Sequence, residues 1–284
     1  MSPAARAEAH TQSIRLAVWF GISIFVVDLV VFALLERWAV GIVVGLAAAV
    51  GCAWLAYTRS TDLVLGSIGA RAVEPAEQPR LASLVDGLSI VSGVHRPRLY
   101  LLDTPATNCV VVGHDLASSS LVVTSGLLAE LNRVELEGVL AHTMSRLDTG
   151  EAQVTTVAAA TVGLPILLAD RWLRADGAIR IAGKVISPIA RLVAPLVGRV
   201  LEHDLDVRAD LSGVALTRFP PGLASALGKL SASDTSMPSS PVMLAPLHLL
   251  APFESAAACP IPAVVAHLPA HRSVSERVEL LREL

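Results

Sequence analysis

The residues whose types and spacing could do chemistry lie in one stretch near the middle of the chain, at positions 142–146 (His-Thr-Met-Ser-Arg). His142 and Arg146 are four residues apart, so their side chains would share one face of a helix. Two histidines at that spacing, with a glutamate directly after the first, would bind zinc and activate a water molecule for hydrolysis. Here only the first histidine is present, because Thr143 replaces the glutamate and Arg146 replaces the second histidine.

A helix over residues 131–147 is predicted to position these side chains. Asn132 can cap its first turn, and Glu135 stands three residues later, as in a capping box. Apolar residues recur at helical spacing and form one face, which consists of Leu136, Val139, Leu140, Met144 and Leu147. The sequence therefore predicts an amphipathic helix that carries both His142 and Arg146.

Residues 132–147 resemble the active-site helix of the HtpX-like membrane zinc metallopeptidases, and further motifs resemble the same family in the same order. Residues 100–109 resemble the strand and turn before its cleft-edge strand, 123–128 its lead-in to the helix, and 206–213 the motif that brings its third zinc ligand. The resemblance covers roughly residues 75–284 and the membrane layout of the N-terminus. It implies a zincin-like domain attached to a membrane.

The resemblance assigns five positions to the site. His142, Arg146 and Asp206 stand at the zinc-ligand positions, Thr143 at that of the general base, and Asp210 at an outer position beside the ligands. A catalytic zinc needs three protein ligands and a water. Arg146 has no lone pair to donate, and Thr143 cannot act as a carboxylate base. We therefore expect no catalytic residue, no bound metal and no cofactor, with zinc only if the chain is an active enzyme.

A different metal site has to be weighed on the segment that carries Asp206. Glu202, Asp206 and Asp210 would share one helix face, and His203 lies beside them. Carboxylates with one or two imidazoles could hold a metal. The competing interpretation is a solvated helix whose acids pair with arginines, and we favour it because Arg146 should lie close to the same space.

Composition indicates a membrane protein without a nucleic-acid partner. Of the 284 residues, 53% are hydrophobic and only 17% are charged, and the mean hydropathy is +0.61. Soluble domains carry about 25% charged residues. The net charge of −3 provides no basic field for nucleic acid. Three widely spaced cysteines, Cys52, Cys109 and Cys259, argue against a disulfide framework or a cysteine metal site.

The apolar residues concentrate in segments long enough to span a bilayer. Residues 16–35 and 38–57 are two such runs, and together they predict a transmembrane hairpin. Arginines flank the hairpin at both ends, which predicts a multi-pass protein of the inner (plasma) membrane whose soluble part is cytoplasmic. The apolar segments 154–169 and 179–200 resemble a second hairpin, but the sequence leaves spanning and surface-lying helices open.

A small sheet is predicted ahead of the central helix. Residues 99–102, 108–112 and 121–124 are short β-prone runs with turn residues between them. In the family that the chain resembles, the strand at 108–113 borders the cleft, so an extended peptide could pair with it. The residues of this possible peptide-binding edge strand are Asn108, Cys109, Val110, Val111 and Val112. The alternative is an ordinary edge strand.

These observations predict an α+β, mostly helical, multi-pass membrane protein with a zincin-like (metallopeptidase) domain and a small β-sheet. Residues 1–60 would form the hairpin, 61–150 the first part of the domain, 151–200 a membrane-associated or transmembrane insert, and 201–284 the second part. The predicted function is that of a catalytically degenerate peptidase, which binds a membrane-protein segment, a peptide segment or a partner without cutting it. The alternatives are an active zinc endopeptidase with unusual ligands and a structural membrane subunit.

Overall fold

The computed structural model of this protein describes residues 3–34, 36–163, 205–233, 248–250 and 272–284. Segment 179–200 and the residues Glu202 and His203 lie outside the described residues. In chain order the elements are α1 (Pro3–Leu34), α2 (Trp38–Thr58), α3 (Ser60–Ile68), β1 (Arg71–Ala72), α4 (Pro79–Ser92), β2 (Arg98–Leu102), β3 (Cys109–Val112), β4 (Ser120–Thr124), α5 (Ser125–Glu130), α6 (Arg133–Asp148), α7 (Glu151–Ala158), a π-helical turn (Ala159–Gly163), α8 (Leu205–Thr217), α9 (Pro220–Leu230) and α10 (Val274–Arg282). The predicted mostly helical fold with a small sheet is confirmed.

The first two helices form a hairpin whose outer surface is apolar. Two helical stretches, Ala7–Ala33 and Trp38–Thr58, are long enough to cross a membrane, with mean hydropathies of 2.4 and 2.2. Their exposed side chains include Val26, Val43 and Trp54. Between the helices small residues permit close approach: a Cβ at Gly41 would lie 2.5 Å from the Cβ of Phe32. The hairpin therefore packs tightly inside and turns its apolar side chains outward, as lipid-facing helices do.

The sheet is mixed and has the strand order β1-β2-β4-β3. Strands β2 and β4 are parallel, whereas β3 pairs antiparallel with β4, with Cys109 opposite Val123 and Val112 opposite Ser120. The three predicted β-prone runs are confirmed to within one residue at each end. The two-residue strand β1 was not predicted, because so short a pairing leaves no periodic signal in the sequence.

Both faces of the sheet are covered, which explains why β3 is apolar throughout instead of alternating. Helix α3 packs Val64 and Ile68 against the face that carries Val110. The opposite face carries Val111 and belongs to the main core, which is shared with helices α4, α6 and α9. The predicted apolar face of α6 is entirely buried in this core.

Helices α8 and α9 approach the backbone of α6 closely because glycines stand at the contacts. A Cβ at Gly213 of α8 would lie 2.6 Å from the backbone nitrogen of His142, and one at Gly138 of α6 would lie 2.8 Å from that of Leu223. Only glycine permits such a separation of helix backbones. Because the helices cross closely at Gly213, α8 and its acidic residues pack directly against the turn of α6 that contains His142.

Two further points concern the helices. The sequence predicts a polar helix over residues 202–218 that ends before Pro220, and α8 does end at Thr217; helix α9, which begins at Pro220, was not predicted. Proline is favoured in the first turn of a helix because its missing N–H is not needed there. Helix α7 and the π-helical turn cover the first part of the predicted apolar run 154–169, and its remainder is outside the described residues.

Candidate functional site

The start of helix α6 is fixed by the predicted capping box. The side chain of Asn132 accepts hydrogen bonds from the N–H groups of Val134 (2.9 Å) and Glu135 (3.0 Å), and the Glu135 carboxylate accepts one from the N–H of Asn132 (2.9 Å). Lys229 of α9 donates to the same carboxylate at 2.8 Å. The cap therefore fixes where the helix begins. His142 and Arg146 lie one turn apart on the same face of this helix, and both side chains are buried.

His142 and Asp210 are in direct contact at the centre of the candidate site. The Nδ1 atom of His142 lies 2.7 Å from Oδ1 of Asp210. Arg277 of α10 holds the same carboxylate with two hydrogen bonds, from Nε to Oδ2 at 2.7 Å and from Nη2 to Oδ1 at 2.8 Å. This bidentate arrangement is the strongest geometry available to an arginine–carboxylate pair. Three helices are thereby joined at one buried carboxylate.

The electrostatics of this group fix the protonation of His142. Burial acts to raise the pKa of Asp210, but the hydrogen bonds from His142 and Arg277 and the positive charge of Arg277 outweigh it and hold that pKa below its usual range. Burial lowers the pKa of His142, and the positive charges of Arg277 and Arg146 add to this effect against the opposing influence of Asp210. A neutral His142 beside an ionised Asp210 must donate through Nδ1–H, so its lone pair is on Nε2. That Nε2 atom is buried and has no hydrogen-bond partner in the part of the chain that the structure describes.

Arg146 is buried on the same face, one turn after His142, with 1% of its side chain exposed. Its Nε atom lies 3.6 Å from a carboxylate oxygen of Glu151, at the start of α7. A buried guanidinium needs a carboxylate, and the sequence predicts that Arg146 pairs with Asp206 or Asp210. The guanidinium that binds Asp210 belongs to Arg277, so the prediction is wrong for that acid, and the pairing with Asp206 stays a prediction. Asp206 is buried one turn before Asp210 and is close enough to Arg277 to help raise the pKa of that guanidinium, against the effect of burial.

Thr143 stands where the resemblance places the general base, and its hydroxyl is engaged by neighbouring groups. Its hydroxyl donates to the carbonyl of Val139 at 2.8 Å, within its own helix, and also contacts the Cys109 sulfur at 3.7 Å. Burial raises the pKa of the Cys109 thiol to about 12, so this cysteine is a neutral thiol at physiological pH. The pair connects α6 to strand β3 and supplies no base.

The possible peptide-binding strand lies at the edge of the sheet, next to Thr143, but part of that edge is paired within the chain. Val110 forms an antiparallel bridge with His248, and the N–H of Leu249 donates to the carbonyl of Cys109 at 2.9 Å. The side chain of Asn108 also contacts this segment. An external peptide would therefore meet residues 248–250 at this position.

The donor atoms of this arrangement determine whether it could hold a metal. Within the described ranges, no three His, Cys, Asp or Glu side chains are grouped as metal ligands. The alternative site on the Asp206 segment involves Glu202 and His203, which lie outside those ranges, so that hypothesis stays a prediction. At the family's ligand positions only His142 and Asp206 have a lone pair to offer, whereas Arg146 brings a fixed positive charge.

Sequence reasoning missed the two partners that complete the site. Arg277 lies on the apolar face of α10 with Val274 and Leu281, and a cation among apolar residues at helical spacing was the signal that could have found it. Leu249 offered no comparable signal, because its role rests on backbone groups that every residue carries.

Three similar proteins come from bacteria and carry the name protease HtpX homolog. The one from Dictyoglomus turgidum is 32% identical over 287 residues, which cover 95% of this chain and 92% of that protein. The one from Dictyoglomus thermophilum is 35% identical over 71% of this chain and 70% of its own length. The one from Thermoanaerobacter pseudethanolicus is 31% identical over 81% and 80%. No protein-family model matches the chain, and no solved structure matches it.

Proposed function

Because the chain belongs to the HtpX family of membrane metallopeptidases, we propose that it is a pseudopeptidase of that family, which binds a segment of a membrane protein without hydrolysing it. In this proposal the chain keeps the fold of its family, and the residues at the hydrolytic site have changed. The membrane hairpin brings the chain to its clients, and the cleft beside β3 receives them. The hydrolytic step is the part that has been lost.

One observation carries the proposal: a buried arginine occupies the turn where zinc would be bound. Arg146 lies one turn from His142 and is as fully buried as that histidine. A guanidinium cannot give up its proton at any working pH, so it cannot become a ligand. Its charge also repels a divalent cation from the same space, and it lowers the pKa of His142. The donors at this site therefore do not fit a catalytic zinc.

The lost base supports the same conclusion independently of the metal. Hydrolysis at a zinc site needs a group that removes a proton from the attacking water. The Thr143 hydroxyl is held by the carbonyl of Val139 and has no acid–base range near neutral pH. No chemical step is therefore assigned to this site. What remains is a buried set of contacts in which Asp210 joins α6, α8 and α10.

An active zinc endopeptidase is the first alternative, and the state of His142 favours it. Histidines that bind metals commonly donate their other ring N–H to a carboxylate. His142 does the same through Nδ1–H, which leaves the lone pair of Nε2 available for a metal. With Asp206 nearby, two donors could contribute to a site with unusual ligands. We rank this alternative second because it needs a third ligand and a base in place of Arg146 and Thr143.

A structural membrane subunit is the second alternative, and the paired edge of β3 favours it. If residues 248–250 never leave Cys109 and Val110, the cleft is permanently filled and the chain serves only to scaffold partners. This alternative differs from a pseudopeptidase in one property, which is whether a peptide can bind at that edge.

Zinc binding by variants tests the role assigned to Arg146. We expect Arg146→His combined with Asp206→Glu to bind about one zinc per chain, because it rebuilds the histidine pair one turn apart and restores ligand reach. The matched control is Arg146→Lys with Asp206→Glu, which keeps a cation and should bind none. Adding Thr143→Glu to the first variant restores the base, so it is the first that could hydrolyse a peptide. Equal zinc binding by the histidine and lysine variants would contradict the proposal.

A further inference from the structure

Residues 248–250, hereafter the edge segment, are held through their backbone. The N–H of Leu249 donates to the carbonyl of Cys109 at 2.9 Å and to the Asn108 side-chain oxygen at 3.1 Å. The carbonyl of Leu250 accepts from the Asn108 side-chain nitrogen at 3.0 Å, and its N–H lies 3.5 Å from the oxygen of the same amide. The Asn108 side chain thus contacts the N–H groups of Leu249 and Leu250 and the carbonyl of Leu250, as the backbone of a neighbouring strand would.

Arg277 completes this set of contacts. Its Nη1 atom donates to the carbonyl of Leu249 at 3.1 Å, while its Nε and Nη2 atoms bind Asp210. All four backbone polar groups of Leu249 and Leu250 therefore have a partner in Asn108, Cys109 or Arg277. None of these contacts depends on the side chains of the edge segment, which is how proteins bind extended peptides at a sheet edge.

Asn108 itself is preorganised for this role. It is fully buried, its N–H donates to the Thr124 hydroxyl at 3.0 Å, and its carbonyl accepts from the same hydroxyl at 2.9 Å. Its main chain is therefore anchored to β4, and its side-chain amide is left to face the edge segment. Leu249 and Leu250 are buried in the main core, so the position accepts two successive aliphatic side chains.

We propose that the edge segment is an internal occupant of the peptide site: it closes the β3 edge in the resting protein and leaves when an extended aliphatic segment of a membrane protein takes over its contacts. This inference rests on the proposed function and specifies its partner. The client needs free backbone N–H and carbonyl groups at two successive residues and aliphatic side chains to refill the core. An unfolded transmembrane segment has both properties, whereas a folded helix has already used its backbone groups.

A reversible covalent lock tests whether the edge segment occupies this site. Val110 and His248 are bridge partners, and such partners have Cα atoms about 4.5–5.5 Å apart, which suits a disulfide. We would make V110C/H248C in the full chain after replacing the native cysteines Cys52, Cys109 and Cys259. We expect mild oxidation to form the disulfide. If it does not form, the edge segment does not lie on β3 in solution and the inference is wrong.

Peptide binding to the locked and released protein tests displacement. The probe is a fluorescent, N-acetylated peptide with the sequence of residues 247–251, Leu-His-Leu-Leu-Ala. We expect the oxidised protein to bind none, and reductant to restore saturable binding to the same sample. A control peptide with proline in place of its second leucine should not bind, because it lacks the N–H that reaches the Cys109 carbonyl. Equal binding before and after reduction would overturn the inference.

Opening the edge by mutation gives a second measurement. Leu249→Pro removes the internal N–H from the edge segment, so we expect it to bind the probe at least tenfold more tightly than the parent. The proposed function can fail separately. If the opened edge binds the probe and cleaves it, the inference about the internal occupant stands, but the proposed function fails because the protein is an enzyme. If a folded Leu249→Pro variant binds no probe, the inference fails, and a chain without hydrolysis is then the structural subunit. If the parent binds the probe equally before and after reduction and does not cleave it, the inference alone fails and the pseudopeptidase stands.

Discussion

Asp210 binds His142 and Arg277 at the same time, and these contacts compensate the charge of its buried carboxylate. A buried carboxylate is costly unless it is paired and hydrogen-bonded. Here the guanidinium of Arg277 supplies the compensating charge, and His142 remains neutral and adds a hydrogen bond. In a zinc site the metal itself would contribute much of the local positive charge. In the described part of this site, two arginines, Arg146 and Arg277, provide that positive charge.

The protonation of His142 gives a prediction for pH. Burial lowers its pKa, whereas the unfolded chain protonates this histidine at its ordinary pKa of about 6.5. Below that pH the unfolded state binds more protons than the folded state. The contribution of His142 to the free energy of unfolding is therefore fully present above about pH 6.5 and is lost as the pH falls. We expect the free energy of unfolding to decrease by up to about 1.4 kcal/mol per pH unit in this window.

The measurement is denaturant unfolding in detergent between pH 7 and pH 5. His142→Asn keeps a donor toward Asp210 without a titrating ring, so its free energy of unfolding should depend less on pH than that of the parent. His95→Asn, at an exposed position, is the matched control and should keep the parental slope. The same slope in the parent and in His142→Asn would show that the folded protein does not resist protonation at this residue.

Arg146 gives a prediction for stability. Removing one member of a buried ion pair leaves the other charge uncompensated, so Arg146→Ala should lower the free energy of unfolding by about 3–5 kcal/mol. Arg133→Ala, on the exposed first turn of the same helix, should change it by less than about 0.5 kcal/mol. Chemical unfolding of both variants at neutral pH measures the difference. A loss in Arg146→Ala no larger than that in the control would mean that the buried charge is not paired as described.

At the scale of single residues, the sequence predicted what local motifs encode and missed what the tertiary fold brings together. His142, Arg146 and the capping box were readable because their spacing is that of one helix. The contact between Asp210 and Arg277 spans 67 positions, so no local pattern contains it. The same applies to Asn108 and Leu250, which are 142 positions apart.

Among the elements, the crossing of α8 over α6 determines how close Asp210 comes to His142. We predict that Gly213→Ala lowers the free energy of unfolding by about 1–3 kcal/mol, because its Cβ would lie 2.6 Å from a backbone nitrogen and the helices would have to separate. Gly228→Ala in α9 is the matched control. A Cβ there has no atom within 4 Å, so alanine should instead stabilise the helix by about 0.5–1 kcal/mol.

Comparison of the two alanine variants by chemical unfolding measures the close approach of the helices directly. If Gly213→Ala is as stable as the Gly228→Ala control, the two backbones are further apart than described.

Element prediction succeeded where one periodicity dominated and failed where two interpretations compete. The long apolar runs, the capped helix α6 and the three short strands follow directly from composition and period. Pro220 was ambiguous, since proline ends one helix as readily as it begins another. Helix α3 follows α2 after a single residue, Arg59, so no turn signal separates the two helices in the sequence. Residues 248–250 pair with β3 as a single bridge, too short for any strand pattern.

For the whole molecule, the arginines around the hairpin predict its orientation. Arg15 and Arg59 lie at the two open ends, whereas the turn between the helices holds one acid and one base, Glu36 and Arg37. Positive flanks stay on the cytoplasmic side of a membrane. We therefore expect both termini to be cytoplasmic. In a background without native cysteines, Ser2→Cys and Ser236→Cys should resist a membrane-impermeant maleimide added to intact cells, while Glu36→Cys should react.

Labelling of Ser2→Cys or Ser236→Cys from outside, with Glu36→Cys protected, would invert this topology. It would also move the cleft and its internal occupant to the opposite face of the membrane. The client would then be a segment exposed outside the cytoplasm, while the chemistry of the site would be unchanged, because it depends on Arg146 and Thr143 and not on orientation.

The central claim, that the family's hydrolytic site has become a binding site, is tested most directly by the metal content and peptidase activity of the unmodified protein. The chain would be purified in detergent without chelators, and its zinc measured by elemental analysis beside an assay on an unfolded protein substrate. We predict far less than one zinc per chain and no cleavage, with or without added zinc, because Arg146 excludes the metal and Thr143 supplies no base. Close to one zinc per chain, together with a peptidase activity that chelation abolishes, would contradict the claim and establish the active enzyme in its place.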